Sequence, residues 1–238
     1  MSAYPNINLK SHHVLQSSSE SFVKPVDDGS WFGVLIDQVR QYLTNATTAE
    51  FREIESNVPG PVQCLAWHPF QRDQIAFGMS DGVVQVVLQP STKPILLRNQ
   101  HQRHISCVTW VPSYPKLLCV GCATGIILWD VVSQKGSNLP SRASVFRTRS
   151  PVSSVSSAPG GRYCLATTQH ELLLLDTVTG EEPVPIRAVS TPCSILNSPQ
   201  YPFSLVAEGK RCILYLRIVY NTARPSFKYL DNLEDFRK

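Results

Sequence analysis

From residue 61 onward, short apolar runs alternate with polar or proline-bearing breaks, and one phrase returns four times. Cys64-Leu65-Ala66-Trp67-His68-Pro69, Cys107-Val108-Thr109-Trp110-Val111-Pro112, Ser154-Val155-Ser156-Ser157-Ala158-Pro159 and Ser194-Ile195-Leu196-Asn197-Ser198-Pro199 set their prolines 43, 47 and 40 residues apart. Each phrase alternates apolar and polar side chains, the two-residue period of a half-buried strand. Each stops at a proline, which cannot donate to a sheet ladder. A second apolar run follows, starting at Gln74, Leu117, Tyr163 and Phe203. Polar or glycine turns come next: Ser80-Asp81-Gly82, Ala123-Thr124-Gly125, Gln169-His170-Glu171 and Glu208-Gly209-Lys210. Such turns between apolar runs signal hairpins. A third run closes each hairpin, over 83–87, 126–130, 172–176 and 212–216.

Three clear strands and a weaker fourth, returning every 40 to 45 residues or so, have the period of WD40 repeats, and each such unit is one blade of a β-propeller. Trp129-Asp130 is a full Trp-Asp dipeptide closing a third strand, and Leu175-Asp176 holds the same place one repeat later. The pattern predicts an all-β WD40 propeller over residues 59–218, with about four blades visible and an incomplete ring. Trp67, Pro69, Trp110, Pro112, Trp129, Asp130 and Asp176 are the expected blade anchors.

The flanks read differently. Residues 1–29 are polar, with Ser17-Ser18-Ser19 and Asp27-Asp28-Gly29, and predict a disordered tail. Between Ser30 and Leu43 the apolar residues fall at 31, 32, 35, 36, 39, 42 and 43, a helical stripe with Ser30 as N-cap. A second short helix is expected through Thr48 to Ile54, so residues 30–58 read as a helical prefix. Its stripe of Trp31, Phe32, Leu35, Ile36 and Val39 fits a partner-docking helix and, equally, a cover for the domain's own apolar surface. Residues 219–238 form a C-terminal extension, where Phe227, Tyr229 and Leu230 suit a strand or short helix. Ser133 to Ser150 reads as one long connection. A phosphate on Ser144 or Ser150, beside arginines, would change its charge strongly, although a solvated loop is the plainer reading.

Composition narrows the function. Charged residues are 17% of the 238, below the usual quarter, which favours an interaction surface over a solvated tail. The net charge of +4 is scattered, with no basic stripe among aromatics, so direct nucleic-acid binding is not expected. Five of the seven cysteines (Cys64, Cys107, Cys119, Cys164 and Cys212) lie in expected strands and suit core packing. The polar N-terminus has no signal-peptide pattern, which suggests a reducing compartment. No apolar run reaches the length of a membrane span, and a soluble intracellular protein is expected.

Chemistry is sparse. Cys119 and Cys122 have half the spacing of a zinc site, but residues three apart on a strand face opposite ways, so core cysteines are expected and no metal. His104, in the loop before a first strand, suits a structural histidine bonded within its blade. No cysteine sits in an evident electropositive turn and no phosphate-binding glycine loop is present, so neither catalysis nor a cofactor is expected.

Taken in order, Trp31-Phe32-Gly33-Val34-Leu35 ahead of the blades, Leu65-Ala66-Trp67-His68-Pro69, and Ile127-Leu128-Trp129 after Val120-Gly121-Cys122 resemble the aladin-like WD40-repeat nucleoporins, from about residue 30 to about residue 218. The resemblance implies a non-enzymatic scaffold of the nuclear pore complex that supports nucleocytoplasmic transport. Its implied partners are other nucleoporins, including a transmembrane one holding it at the nuclear envelope. The third and fourth repeats depart from the pattern by lacking the tryptophan. The chain also stops about three blades short of a seven-bladed relative, so a shortened form or fragment, marginally stable or oligomeric alone, is expected. The fold by itself leaves a second class open, a WD40 adaptor of another assembly such as a ubiquitin-ligase substrate receptor.

Overall fold

Alternating runs rich in Val, Ile, Leu and Cys, cut by Pro, Gly and Asp turns, have one way to satisfy both side chains and backbone: antiparallel hairpins that hide their apolar faces against one another. A computed structural model describes residues 61–188 apart from 72–73, 89–92, 133–139 and 159–160, together with the strand backbones at 22–25, 31–36, 40–45, 51–54, 193–197, 204–208, 212–219 and 226–230. The described strands form five four-stranded antiparallel sheets, each a simple meander. The first holds β1 (Phe22–Pro25), β2 (Trp31–Ile36), β3 (Arg40–Asn45) and β4 (Phe51–Ile54). The second holds β5 (Val62–Trp67), β6 (Ile75–Met79), β7 (Val84–Val87) and β8 (Ile95–Leu97). The third holds β9 (Ile105–Trp110), β10 (Leu117–Cys122), β11 (Gly125–Asp130) and β12 (Arg142–Arg147). The fourth holds β13 (Val152–Ser157), β14 (Tyr163–Thr168), β15 (Glu171–Asp176) and β16 (Val184–Ala188). The fifth holds β17 (Cys193–Asn197), β18 (Ser204–Glu208), β19 (Cys212–Val219) and β20 (Ser226–Leu230).

The four repeats are thus four of five sheets, and the additional sheet comes from the segment read as helical. Trp31, Phe32, Leu35 and Ile36 lie on β2, with Trp31 opposite Asn45 and Ile36 opposite Arg40; Val39 lies outside the described residues. Phe51 to Ile54, expected within a second helix, is β4. In the unbroken run Trp31 to Ile36, helical spacing and the continuous apolar stretch of a buried strand cannot be told apart. Aromatic and β-branched residues favour the strand, and Gly33 would cost about 1 kcal/mol inside a helix. The expected boundaries move accordingly: β1 falls within the segment read as a tail, and β20 within the one read as an extension. The connection before Ser150 also holds a strand, β12, which supplies the third sheet's fourth member.

Successive sheets meet through their first strands, with β1 against β5, β5 against β9, β9 against β13 and β13 against β17. Because side chains alternate across each sheet, one face of every middle strand serves each neighbour. Ala66, Ala76, Val84 and Val86 of the second sheet pack on Val108, Trp110, Leu118, Val120 and Trp129 of the third. The third sheet's other face, with Cys119, Ile126, Leu128 and Phe146, packs on Val155, Cys164, Leu173 and Leu175 of the fourth. Phe77, Ile127, Leu165 and Leu175 are almost wholly removed from solvent, each contributing about 1.5–3 kcal/mol of hydrophobic stabilisation.

Close approach of these first strands needs space on the adjacent second strand. Gly78 and Gly121 supply it at equivalent places in β6 and β10. A Cβ on Gly121 would lie 2.5 Å from Cys107 Sγ and 2.7 Å from Val152 Cγ1, and one on Gly78 would lie 2.6 Å from Cys64 Sγ and 2.7 Å from Ile105 Cγ2. Gly121→Ala is therefore expected to lower the unfolding free energy by about 1–3 kcal/mol through overpacking. Adding Cys107→Ala removes the nearest obstacle and should recover part of that loss in urea denaturation. Strict additivity of the two changes would show that the contact is not the cause.

Candidate interaction faces

A meander sends successive connections to alternate ends of its sheet, and the five sheets stack in the same sense. Two loop-bearing ends result. The entry end, where each first strand begins, carries the β6–β7, β8–β9, β10–β11, β12–β13 and β14–β15 connections. The exit end carries the β5–β6, β7–β8, β9–β10, β11–β12, β13–β14 and β15–β16 connections.

The exit end holds the residues expected as anchors in the repeated phrase. Trp67 and Trp110 are the last residues of β5 and β9, both buried. Pro69 and Pro112 follow in half-buried loops. Trp110 Nε1 donates to the Ala66 carbonyl of the second sheet at 3.2 Å, and its ring meets the His68 ring with centroids 4.8 Å apart. His68, seen in the sequence only as part of the phrase, is the junction. Its Nδ1 accepts the N–H groups of Phe70 and Gln71, each at 3.1 Å, and its Nε2 lies 2.8 Å from the Pro115 carbonyl of the third sheet. Those partners require a neutral ring protonated at Nε2.

Asp130 and Asp176 also end their strands here. Asp130 stands opposite Arg142 in the β11–β12 register. Asp176 accepts Arg162 Nη2 at 2.8 Å and the Val178 N–H at 3.0 Å. Burial works against ionisation of the Asp176 carboxyl, but Arg162 and the Val178 and Thr179 amides outweigh it and hold its pKa below the usual carboxylate value.

The entry end has its own junction, one the sequence reading missed. Gln102 is 2% exposed; its Oε1 accepts Trp129 Nε1 at 2.7 Å, while its Nε2 donates to the carbonyls of Gly82 at 2.9 Å and Leu97 at 3.1 Å. One amide thus ties the β8–β9 loop, the β6–β7 turn and the Trp-Asp strand together. Gly82 permits this with φ +85°, since a Cβ there would fall 2.1 Å from the Gln102 carbonyl oxygen. His104, expected in this role, is exposed and takes φ 51°. The signal was available in polarity: an amide can donate and accept at once, which a buried corner between a carbonyl pair and an indole requires.

The first strands of the second, third and fourth sheets share one irregularity at this end. Their registers shift at their starts, leaving Gln63, Ser106 and Ser153 exposed, each between a buried and a half-buried neighbour. A bulge re-aims a side chain out of the ladder. In the third sheet Ser106 Oγ lies 2.6 Å from the Val152 carbonyl of the next sheet.

Cys64, Cys107, Cys119, Cys122 and Cys164 are free thiols packed within the sheets. Cys119 belongs to the interface with the fourth sheet and Cys122 to that with the second, so the pair faces opposite ways. The adjoining Cys164 thiol and then burial push the Cys119 thiol well above its ordinary pKa, and burial pushes that of Cys107 up to about 11. Thiols held protonated are weak nucleophiles and weak metal ligands. Among the described residues, no group of three His, Cys, Asp or Glu is placed to hold an ion. Ser144 is exposed on β12 and Ser150 half-buried in the β12–β13 loop.

No protein-family profile matches the chain. Among solved structures it is similar to the β-propeller domain of Cps50 (Swd1) from Myceliophteria thermophila, with TM-score 0.72 at 12% identity over 92% of this chain and 74% of that one. It is also similar to a chain of a mitotic checkpoint complex, with TM-score 0.67 at 15% identity over 89% of this chain and 65% of that one. Against the second structure the chain thus spans just under two thirds of the matched length. Likeness at these identities concerns the fold, and the fold is an all-β propeller.

Two measurements test the junctions. Trp129→Phe leaves the buried Gln102 Oε1 without its donor and should cost about 1–3 kcal/mol. A double-mutant cycle with Gln102→Leu should return a coupling of about 0.5–3 kcal/mol, and zero coupling would show that the bond contributes nothing. For Asp176, a depressed pKa means that its stabilisation is complete above the unfolded value near 4 and is lost as pH falls through the folded one. The stability gap between the native chain and Asp176→Asn should therefore narrow in urea melts taken below about pH 4. A gap independent of pH would exclude this contribution.

Proposed function

We propose that this chain is a non-enzymatic protein-interaction scaffold of the nuclear pore complex, located at the nuclear envelope and supporting nucleocytoplasmic transport. The observation that carries the interaction reading is the distribution of polar chemistry. His68 and Gln102 are buried and committed to joining sheets, Cys107 and Cys119 are held as thiols, and the exposed polar groups lie on the broad loop-bearing ends. Such a surface offers contacts to other chains and little to a bond-breaking step. One fold neighbour is itself a chain of the mitotic checkpoint complex, an assembly of several proteins.

The location rests on the order of phrases shared with the aladin-like nucleoporins. Leu65 to Trp67 on β5 and Ile127 to Trp129 on β11 carry that order, whereas Trp31 to Leu35 lies on a strand instead of the helix the resemblance implied. In this reading the partners are other nucleoporins, and a transmembrane nucleoporin supplies attachment to the pore membrane. An adaptor of another assembly, such as a ubiquitin-ligase substrate receptor, is the second reading, supported by the shared fold alone.

Imaging of the tagged protein at its native level separates the two. A punctate rim on the nuclear envelope with co-purifying nucleoporins is the expected result. Diffuse staining with a co-purifying ubiquitin ligase would replace the pore reading with the adaptor.

A further inference from the structure

The stretch from Arg142 to Pro151 holds two serines beside arginines, Ser144 and Ser150, and the fold treats them differently. Ser144 is exposed, but it sits inside β12 opposite Leu128, in a ladder with β11 that is unbroken from Arg142 to Arg147. Ser150 lies in the 148–151 loop that joins β12 to β13, outside both ladders. It is half-buried, and Arg147, Arg149 and Pro151 around it are exposed. An enzyme that modifies a serine must draw the flanking residues into its own cleft. For Ser144 that means stripping β12 from β11 and leaving its backbone groups unpaired, whereas for Ser150 a short loop has only to lift.

The loop is pinned through Thr148. The Thr148 N–H donates to the Thr124 carbonyl at 3.3 Å, and Thr148 Oγ1 donates to the Ser150 carbonyl at 2.7 Å. Nearby serine hydroxyls are engaged, Ser106 Oγ with the Val152 carbonyl and Ser153 Oγ with Thr167 Oγ1. Among the described residues, no hydrogen bond engages the Ser150 hydroxyl. Pro151 pushes the residue before it away from helical geometry toward the extended form, and it has no N–H of its own. Arg147 and Arg149, three and one residues earlier, carry guanidinium forks that suit a phosphate.

We propose that Ser150 is a phosphorylation site for a proline-directed serine/threonine kinase. Ser150 Oγ attacks the γ-phosphorus of ATP; the new O–P bond replaces the one to the β-phosphate oxygen, ADP leaves, and the hydroxyl proton passes to a carboxylate base of the kinase. Pro151 selects the class, because only a substrate channel that needs no amide donor after the acceptor serine accepts it. The product carries close to two negative charges at neutral pH, within three residues of both arginines. Arg149 otherwise lies 3.7 Å from Glu171 with its side chain 91% exposed, a contact that contributes little in solvent, so the phosphate competes successfully for it. Arg147, Arg149, Glu171 and Glu182 line a cleft of about 210 Å³, and one phosphate beside it resets the charge of a concave surface shared by the third and fourth sheets. The inference stands whichever assembly the chain serves.

The test incubates the full chain with magnesium ATP and a proline-directed kinase, with an acid-directed kinase as control, and locates phosphate by mass spectrometry. Ser150 should be labelled in the native chain and in Ser144→Ala, not in Ser150→Ala, and at least about tenfold more slowly in Pro151→Ala. Thermal melts verify folding of the variants. Were Pro151→Ala to melt early, the two kinases compared on the native chain decide the class by themselves. A synthetic peptide of residues 144–156 presents the motif without the fold. Labelling of the peptide but not of the folded chain would show that the fold shields the serine; labelling of neither, or of Ser144 in preference, would equally overturn the proposal. In the phosphorylated chain, phosphorus NMR should place the second phosphate ionisation below its ordinary value of about 6, and Arg147→Gln with Arg149→Gln should return it toward that value. An ionisation unmoved by that change would show that the arginines do not receive the phosphate.

Discussion

Flat antiparallel sheets can stack edge-inward only if the first strand of one reaches into the neighbouring second strand without collision. Gly78 and Gly121 supply the missing side chain at those two points, with Cys64, Ile105, Cys107 and Val152 filling the vacated space. In the fourth sheet the same position is Thr167, fully buried, with its hydroxyl 2.9 Å from Ser153 Oγ. Native interiors have few gaps, so an added methyl at this seam must displace backbone-linked neighbours in two sheets at once. The hydrophobic faces supply most of the stabilisation, but it is this spacing that lets them meet.

Between those faces run a few polar links, and their economy follows from dielectric. A buried donor or acceptor without a partner costs about 1–3 kcal/mol, so only groups able to satisfy every atom are tolerated there. His68 accepts two amides on one nitrogen and faces the Pro115 carbonyl with the other. Gln102 accepts from an indole and donates to two carbonyls. His68 ties two segments that are distant in sequence and Gln102 three, one at either end of the same sheet junction. Hydrophobic packing is permissive about register, whereas these bonds admit one arrangement.

The two ends that result hold their charged groups differently. Asp176 and Arg162 pair at the exit end, as do the facing positions of Asp130 and Arg142 in register. At the entry end Asp81 turns back on its own loop and the arginines stay in solvent.

The strand content from residue 61 onward was legible in the chain because two-residue alternation, proline stops and Asp-Gly turns are local signals, and they act on the nearest few residues. The positions of Trp67, Trp110 and Trp129 followed from the same repeat. Trp31 to Ile36 misled because a six-residue apolar run satisfies helical and strand spacing alike, and only pairing with β1 and β3 distinguishes them. Gln102 rather than His104 fills the buried corner for a related reason: burial there depends on Gly82, Leu97 and Trp129, which come together only when two sheets stack. The grouping of Arg98, Arg103, Arg147 and Arg149 is likewise a product of folding: they are scattered along the chain, and only the alternation of hairpins brings all four to one end.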